Sequence, residues 1–165
     1  MRKQRVRKFF LLITSPIFGY RIRDKLFIAV FSYSRLLFYF LKIFENRLYD
    51  KLLMNLAKII KEIKITWKDC IFECRDGDDY FHVSPYYEIE VTEKMLKIAK
   101  NLPRNSIFID VGAHIGRYTV MLAKNNLKVI SIEPEKSNFE QLKKNILINK
   151  FKKRVIPLKI AATDR

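Results

Sequence analysis

The sequence predicts an α/β fold: a half-sheet of parallel strands in the order 3-2-1, preceded by a β-hairpin and a basic N-terminal helical extension. Three observations lead there. Short apolar runs at Ser106–Val111, Lys128–Ile132 and Arg154–Ala162 alternate with stretches of helical period. A glycine-bearing turn, Gly112-Ala113-His114-Ile115-Gly116, joins the first run to the helical stretch after it. The basic charge is gathered at the two ends, which separates an N-terminal part from the rest.

The 165 residues hold 33 Lys+Arg against 17 Asp+Glu, a formal net charge of +16. At roughly 100–200 residues per domain, this length fits one domain, or a small domain with an extension. With 49% hydrophobic and 30% charged residues, disorder throughout is excluded. Four glycines and five prolines exclude a low-complexity chain. Cys70 and Cys74 are too few for a disulfide framework, and C-x-x-x-C without a second pair is not a zinc pattern. Residues 1–25 carry a net +7, residues 26–66 +4, residues 67–106 −2 and residues 107–165 +7. A single polyanion-binding face does not account for that distribution.

Residues 1–66 read as the basic, aromatic-rich helical extension. Met1–Lys8 is a basic cluster and Phe9–Tyr20 is apolar, but no small-x-small cleavage site follows. Leu26–Phe44, at 19 residues, is near the minimum of the about 17–25 residues of a transmembrane helix. Arg35 at its centre disfavours a span, at about 2.5–3.5 kcal/mol on insertion scales. From Phe44 to Ile63 the spacing is helical, with Leu48, Leu52, Leu56, Ile60 and Ile63 on one side. Two readings compete for this part: packing on the globular portion or another subunit, and peripheral binding to an anionic membrane surface. The second rests on basic clusters beside aromatic-rich apolar stretches, worth about 1 kcal/mol per Lys or Arg near the surface. The expected location is cytoplasmic, peripheral at the membrane on that second reading.

Residues 67–106 read as a hairpin and a lead-in helix. Trp67–Ser84 alternates on either side of Asp76-Gly77, a turn signal. On that reading Cys70 and Cys74 are small buried hydrophobes, and His82 is a surface residue of the return strand. Thr92–Asn101 has helical spacing with Thr92 as N-cap, and Leu102-Pro103 closes it.

Residues 107–165 carry the chemistry. Strand, glycine turn and helix form a Rossmann-like cradle for a nucleotide-like ligand. Gly112 lets the backbone bend and a ligand approach, Gly116 permits close packing, and the helix N-terminus offers unpaired N–H groups. The spacing is G-x-x-x-G rather than G-x-G-x-x-G, and Asp110 stands immediately before the turn. A carboxylate there suits an ammonium group better than a pyrophosphate. S-adenosylmethionine carries such an ammonium and no phosphate. Glu133 ends the next strand, 23 residues after Asp110, where an acid can accept hydrogen bonds from two ribose hydroxyls. Pro134 stiffens the turn, Ser137 and Glu140 read as a capping box, and Pro157 marks the third strand as an edge.

At these residues the chain resembles the FkbM-type family of S-adenosylmethionine-dependent methyltransferases. The likeness rests on Phe108 to Thr119 (FIDVGAHIGRYT), on Ile132-Glu133-Pro134, on Asn138-Phe139 with Leu142 to Asn145, and on Ala161 with Thr163-Asp164. It covers roughly residues 67–165. The resemblance implies a class I methyltransferase sheet and the cofactor S-adenosylmethionine, with a small molecule or glycan as the O-methylated acceptor. The implied cofactor-binding set is Asp110, Gly112, Ala113, His114, Gly116, Glu133, Pro134, Ala162 and Asp164. Asp110 and Gly112 would serve the methionine end, Glu133 the ribose, and the Ala162–Asp164 turn the adenine. The family usually has Asn where this chain has His114, which titrates near neutrality.

Such a sheet needs on the order of 200 residues at roughly 30 per strand–helix–strand unit, and Ile107–Arg165 supplies 59. The family's later I-D-V-E-G-like motif is absent, so the expectation is a truncated chain, inactive alone, with no nominated catalytic base. Against the enzyme stands a non-catalytic membrane-surface or interaction protein with a remnant of the fold. Nucleic-acid binding through Lys143, Lys144, Lys150, Lys152, Lys153 and Arg154 is disfavoured, because those charges follow a helix's solvent face and aromatic partners are few.

Overall fold

A computed structural model describes residues 2–40, 55, 58, 61–103 and 106–163. The chain falls into two compact units: Met1–Trp67 with Cys74–Tyr87, and Lys68–Glu73 with Glu88–Arg165.

In the first unit, α1 spans Arg2–Thr14 and a 3-10 turn spans Ser15–Phe18, with Pro16 near its start. Helix α2 spans Ile22–Phe40. Gly19 sits where a Cβ would lie 2.6 Å from the Lys25 backbone nitrogen, so the chain can cross there only without a side chain. Asp24 opens α2; it is buried and accepts from the Arg21 amide and guanidinium, each at 3.0 Å. Ile28, Phe31 and Ser32 form the buried side of α2. The Arg35 guanidinium lies over the rings of Phe81 at 4.6 Å and Tyr86 at 5.6 Å. Among the described residues no helix is long and apolar enough to cross a membrane. Most of the predicted helix from Phe44 onward lies outside the described residues, and its last residues, Lys61–Ile63, are strand.

The hairpin is real but displaced. Strand β1 spans Lys61–Trp67, β2 spans Cys70–Asp76, and the two form a two-stranded sheet. Lys68 and Asp69, at φ +50° and +57°, make the turn. Asp76-Gly77 is not a hairpin turn. The Asp76 carboxylate accepts from the Asp78 and Asp79 amides at 3.0 Å and caps a short helix α3, Gly77–Val83. The predicted return strand is therefore helical, and His82 lies on that helix with Nδ1 3.0 Å from the Asp78 carbonyl. Both cysteines are buried, as the sequence suggests.

In the second unit, α4 spans Ile89–Asn101, β3 Ile107–Val111, α5 Arg117–Lys124, β4 Lys128–Ile132, α6 Lys136–Ile148 and β5 Val155–Leu158. The three strands are parallel in the order β3-β4-β5. Ile109, Ile130 and Ile156 stand in one row, and Val111, Ile132 and Leu158 in another. Pro157, which lacks the N–H a central strand donates, lies in β5 opposite Ser131. The core gathers Leu122, Leu127, Val129, Leu142, Ile146 and Val155, with Phe108, Phe139 and Phe151 packed against it.

Two helix starts differ from expectation. Helix α4 begins at Ile89 after Glu88 in a left-handed conformation; Thr92 lies inside the helix, its hydroxyl donating back to the Glu88 carbonyl at 3.0 Å. Helix α6 is capped by Glu135, whose carboxylate accepts from the Ser137 amide at 2.9 Å and the Asn138 amide at 2.6 Å. Ser137 thus lies in the first turn, and Glu140 pairs with Lys143 at 2.8 Å instead of reaching back. Helix α6 also serves as a partner for β2. Asn149 donates to the Ile71 carbonyl and accepts from its amide, Asn145 accepts from the Glu73 amide, and Gln141 donates to the Glu73 carbonyl. Three amides spaced by four residues share one helix face and bond the backbone groups of Ile71 and Glu73.

Candidate functional site

Strands β3 and β4 end side by side, with Val111 opposite Ile132. The Gly112 and Ala113 amides both donate to the Ile132 carbonyl, at 2.9 and 3.0 Å, so the chain leaves β3 in a tight turn. Gly112 has φ +76°, and a Cβ there would meet nothing within 4 Å. Its glycine is required by the backbone angle, and the space beside it is open. Gly116 has φ +93°, and a Cβ would come within 2.6 Å of Leu142 Cδ1. This second glycine serves helix packing.

Asp110 points to the buried side of β3. Its Oδ2 accepts from the Thr119 hydroxyl at 2.5 Å, and Thr119 lies 2.7 Å from the Ser131 hydroxyl. Thr119 has a single hydroxyl proton, which goes to Asp110, so Ser131 is the donor to Thr119. Burial pushes the Asp110 carboxyl above the usual carboxylate range; Thr119 opposes the shift, and the nearby Glu133 charge adds to it.

Glu133 is also buried. Its Oε2 accepts from the His114 amide at 2.8 Å and its Oε1 from the Glu135 amide at 3.0 Å. It therefore ties the glycine turn to the loop after β4. His114, at φ +50°, is held in a left-handed conformation by that bond. Each carboxylate oxygen keeps lone-pair capacity beyond one acceptor contact.

The start of α5 is fixed from outside the turn. Arg117 is buried with its guanidinium 3.0 and 3.3 Å from the Thr92 hydroxyl. Tyr118 donates to Glu88 at 2.6 Å. Asn145 donates to the Ile115 carbonyl at 2.9 Å. Asp110, Gly112, Ala113, His114, Gly116 and Glu133 are thus brought together at the ends of β3 and β4. Pro134 is the exposed neighbour of Glu133, and Ala162 is exposed in the irregular segment after β5. Asp164 lies outside the described residues. The sequence motifs include Thr119 and Asn145 but assign neither a role, and Ser131 is not among them. Thr119 had a legible signal, since the third residue of a helix that follows a strand-ending acid through a short turn folds back toward that acid.

No protein-family model and no curated sequence matches the chain. Among solved structures it is similar to a SAM-dependent methyltransferase from Agrobacterium tumefaciens, at 12% identity and a TM-score of 0.51, covering 62% of this chain and 33% of that one. It is also similar to a candidate transferase from Pyrococcus horikoshii, at 20% identity and a TM-score of 0.49, covering 61% of this chain and 37% of that one. For M. jannaschii TYW2, solved with AdoMet, the identity is 25%, the TM-score 0.46, and the coverage 62% and 44%. The Agrobacterium protein shows a shared α/β fold. The chain spans less than half the length of each of these proteins.

Proposed function

We propose that residues 107–165 form the S-adenosylmethionine-binding part of a methyltransferase of FkbM type. The observation that carries this reading is the open space beside Gly112, at φ +76°, next to two buried carboxylates at adjoining strand ends. Acceptors so placed suit a ligand that donates from an ammonium and a ribose diol, and they oppose a pyrophosphate. The Agrobacterium protein similar in fold, which is described as SAM-dependent, supports the same cofactor.

When bound, S-adenosylmethionine supplies an electrophilic sulfonium methyl group. In this reading Asp110, anchored by Thr119, accepts from the ammonium end. Glu133 accepts from the ribose hydroxyls while holding the His114 and Glu135 amides, and Gly112 leaves room for the ligand's backbone-side approach. The α5 N-terminus is kept in place by Arg117, Tyr118 and Asn145, so the turn is preorganised. The acceptor is a hydroxyl of a small molecule or glycan, on the strength of the sequence resemblance alone.

A second reading has its own observation. Both oxygens of Glu133 and one of Asp110 already hold protein donors. The acids would then staple a turn in a non-catalytic protein. Thermal-shift titration separates the two. The cofactor reading expects stabilisation by S-adenosylhomocysteine and none by NAD, by about 2.7 kcal/mol at a hundredfold excess over Kd. No stabilisation by either ligand, in protein shown to be folded, would favour the staple.

A further inference from the structure

Helix α2 carries two apolar sides. At roughly 100° per residue, Ile28, Phe31 and Ser32 share one side, and these are the buried ones. Ile22, Leu26, Val30, Tyr33 and Leu37 fall within a single narrow arc on the opposite side and are 47–79% exposed. Arg23 and Lys25 bracket the start of that stripe and are themselves exposed. The Tyr33 hydroxyl donates to the Ile13 carbonyl at 3.2 Å, so the stripe adjoins the end of α1, where Phe10 and Ile13 are exposed too, as is Ile17 in the 3-10 turn that follows. An isolated exposed apolar residue needs no explanation, but a continuous row of this kind marks a docking surface.

Charge selects the occupant. Residues 1–25 hold eight basic side chains and one acid, Asp24. Asp24 is buried against Arg21 and offers no negative charge to the surface. An apolar stripe with exposed tyrosines, flanked by the basic side chains of residues 1–25 that outnumber the exposed Glu62 held beside Arg21 and Arg23, matches an anionic lipid surface. Helix α2, like every described helix, is not long and apolar enough to cross a membrane, and the proposed orientation is lengthwise on its surface.

We propose that the exposed stripe of α2, with the end of α1, lies in the plane of an anionic bilayer surface, with Leu26, Val30 and Leu37 entering the acyl boundary. The proposal does not depend on cofactor binding.

The test is co-sedimentation of the full chain with phosphatidylcholine vesicles, with and without about 30% phosphatidylserine. The expected result is roughly tenfold or greater enrichment on the anionic vesicles, falling as salt is raised. Leu26→Glu with Val30→Glu is expected to abolish that binding, and Arg7→Glu with Lys25→Glu to weaken it. Because these side chains are exposed, circular dichroism and Trp67 emission should stay as in the unaltered chain. Equal sedimentation with both vesicle types, no binding to either, or unchanged binding by the Leu26/Val30 variant would overturn the proposal. So would a dimer in sedimentation velocity that the same variant dissociates, since that assigns the stripe to a second copy of the chain.

Discussion

Thr119 sets what Asp110 can do. Burial raises the Asp110 carboxyl above its ordinary range, and the Thr119 hydroxyl, itself fed by Ser131, opposes that rise. Thr119→Val removes that donor and should cost about 1–3 kcal/mol by urea unfolding near neutral pH. Asp110 already sits above its ordinary value, so its contribution is full below the unfolded carboxylate pKa and is lost as pH rises through the folded one. The variant moves Asp110 higher still, so its cost should shrink at a pH below the ordinary carboxylate range. An equal cost at both pH values would contradict the coupling. The Cys70 thiol is pushed up by burial from 9.0 to about 12, and the Tyr118 phenol by burial and Glu88 from 10.0 to about 12. The folded state thus resists both ionisations more than the unfolded chain does. Stability from these groups is full below about pH 9 and is lost as pH climbs toward 12. At about pH 8, Cys70 and Cys74 should react with a thiol reagent only as fast as the chain unfolds; fast reaction in native buffer would contradict their burial.

At the scale of elements, the two glycines of the turn separate a proposed binding role at Gly112 from a packing role at Gly116. Gly112→Ala should lose about 1–2 kcal/mol to the left-handed backbone alone, because its Cβ meets nothing. It should also lose roughly tenfold or more in cofactor affinity, equivalent to about 1.4 kcal/mol. Gly116→Ala adds a 2.6 Å clash with Leu142 to the same strain and should unfold more readily than Gly112→Ala in a thermal melt. Strands β3, β4 and β5 were legible because apolar runs, a glycine turn and a proline all agreed there. The hairpin slipped because Asp76-Gly77 fits both a turn and a helix start. With Asp78 and Asp79 following, the Asp76 carboxylate caps a first turn rich in acids, and the hairpin turn falls at Lys68-Asp69. Strand β1 was hidden by Ile60 and Ile63, whose spacing continued the helical pattern before it. The α6 cap went to Glu135 rather than Ser137 because a glutamate one residue before the helix reached two amides at once. The amide row Gln141, Asn145 and Asn149 was invisible in the sequence, since it depends on where β2 lies in space.

At the scale of the molecule, the sheet has one covered face and one open face. Ile107, Ile109, Val111 and Ile156 are 56–65% exposed, although both faces of a parallel sheet are ordinarily covered. The fold of the second unit, the glycine turn and the two acids form one consistent cradle. The first unit contributes a basic, apolar surface of separate character. The basic excess is divided between residues 1–25, for which an anionic lipid surface is proposed, and the solvent side of helices and loops in residues 107–165. The cradle is the central claim, and isothermal calorimetry with S-adenosylmethionine tests it most directly, on the unaltered chain and on Asp110→Asn, which keeps the shape and removes the charge. The account predicts saturable binding to the unaltered chain and roughly tenfold or greater loss in the variant. Equal affinity in both, or no heat of binding to a chain whose melt shows it folded, would contradict it.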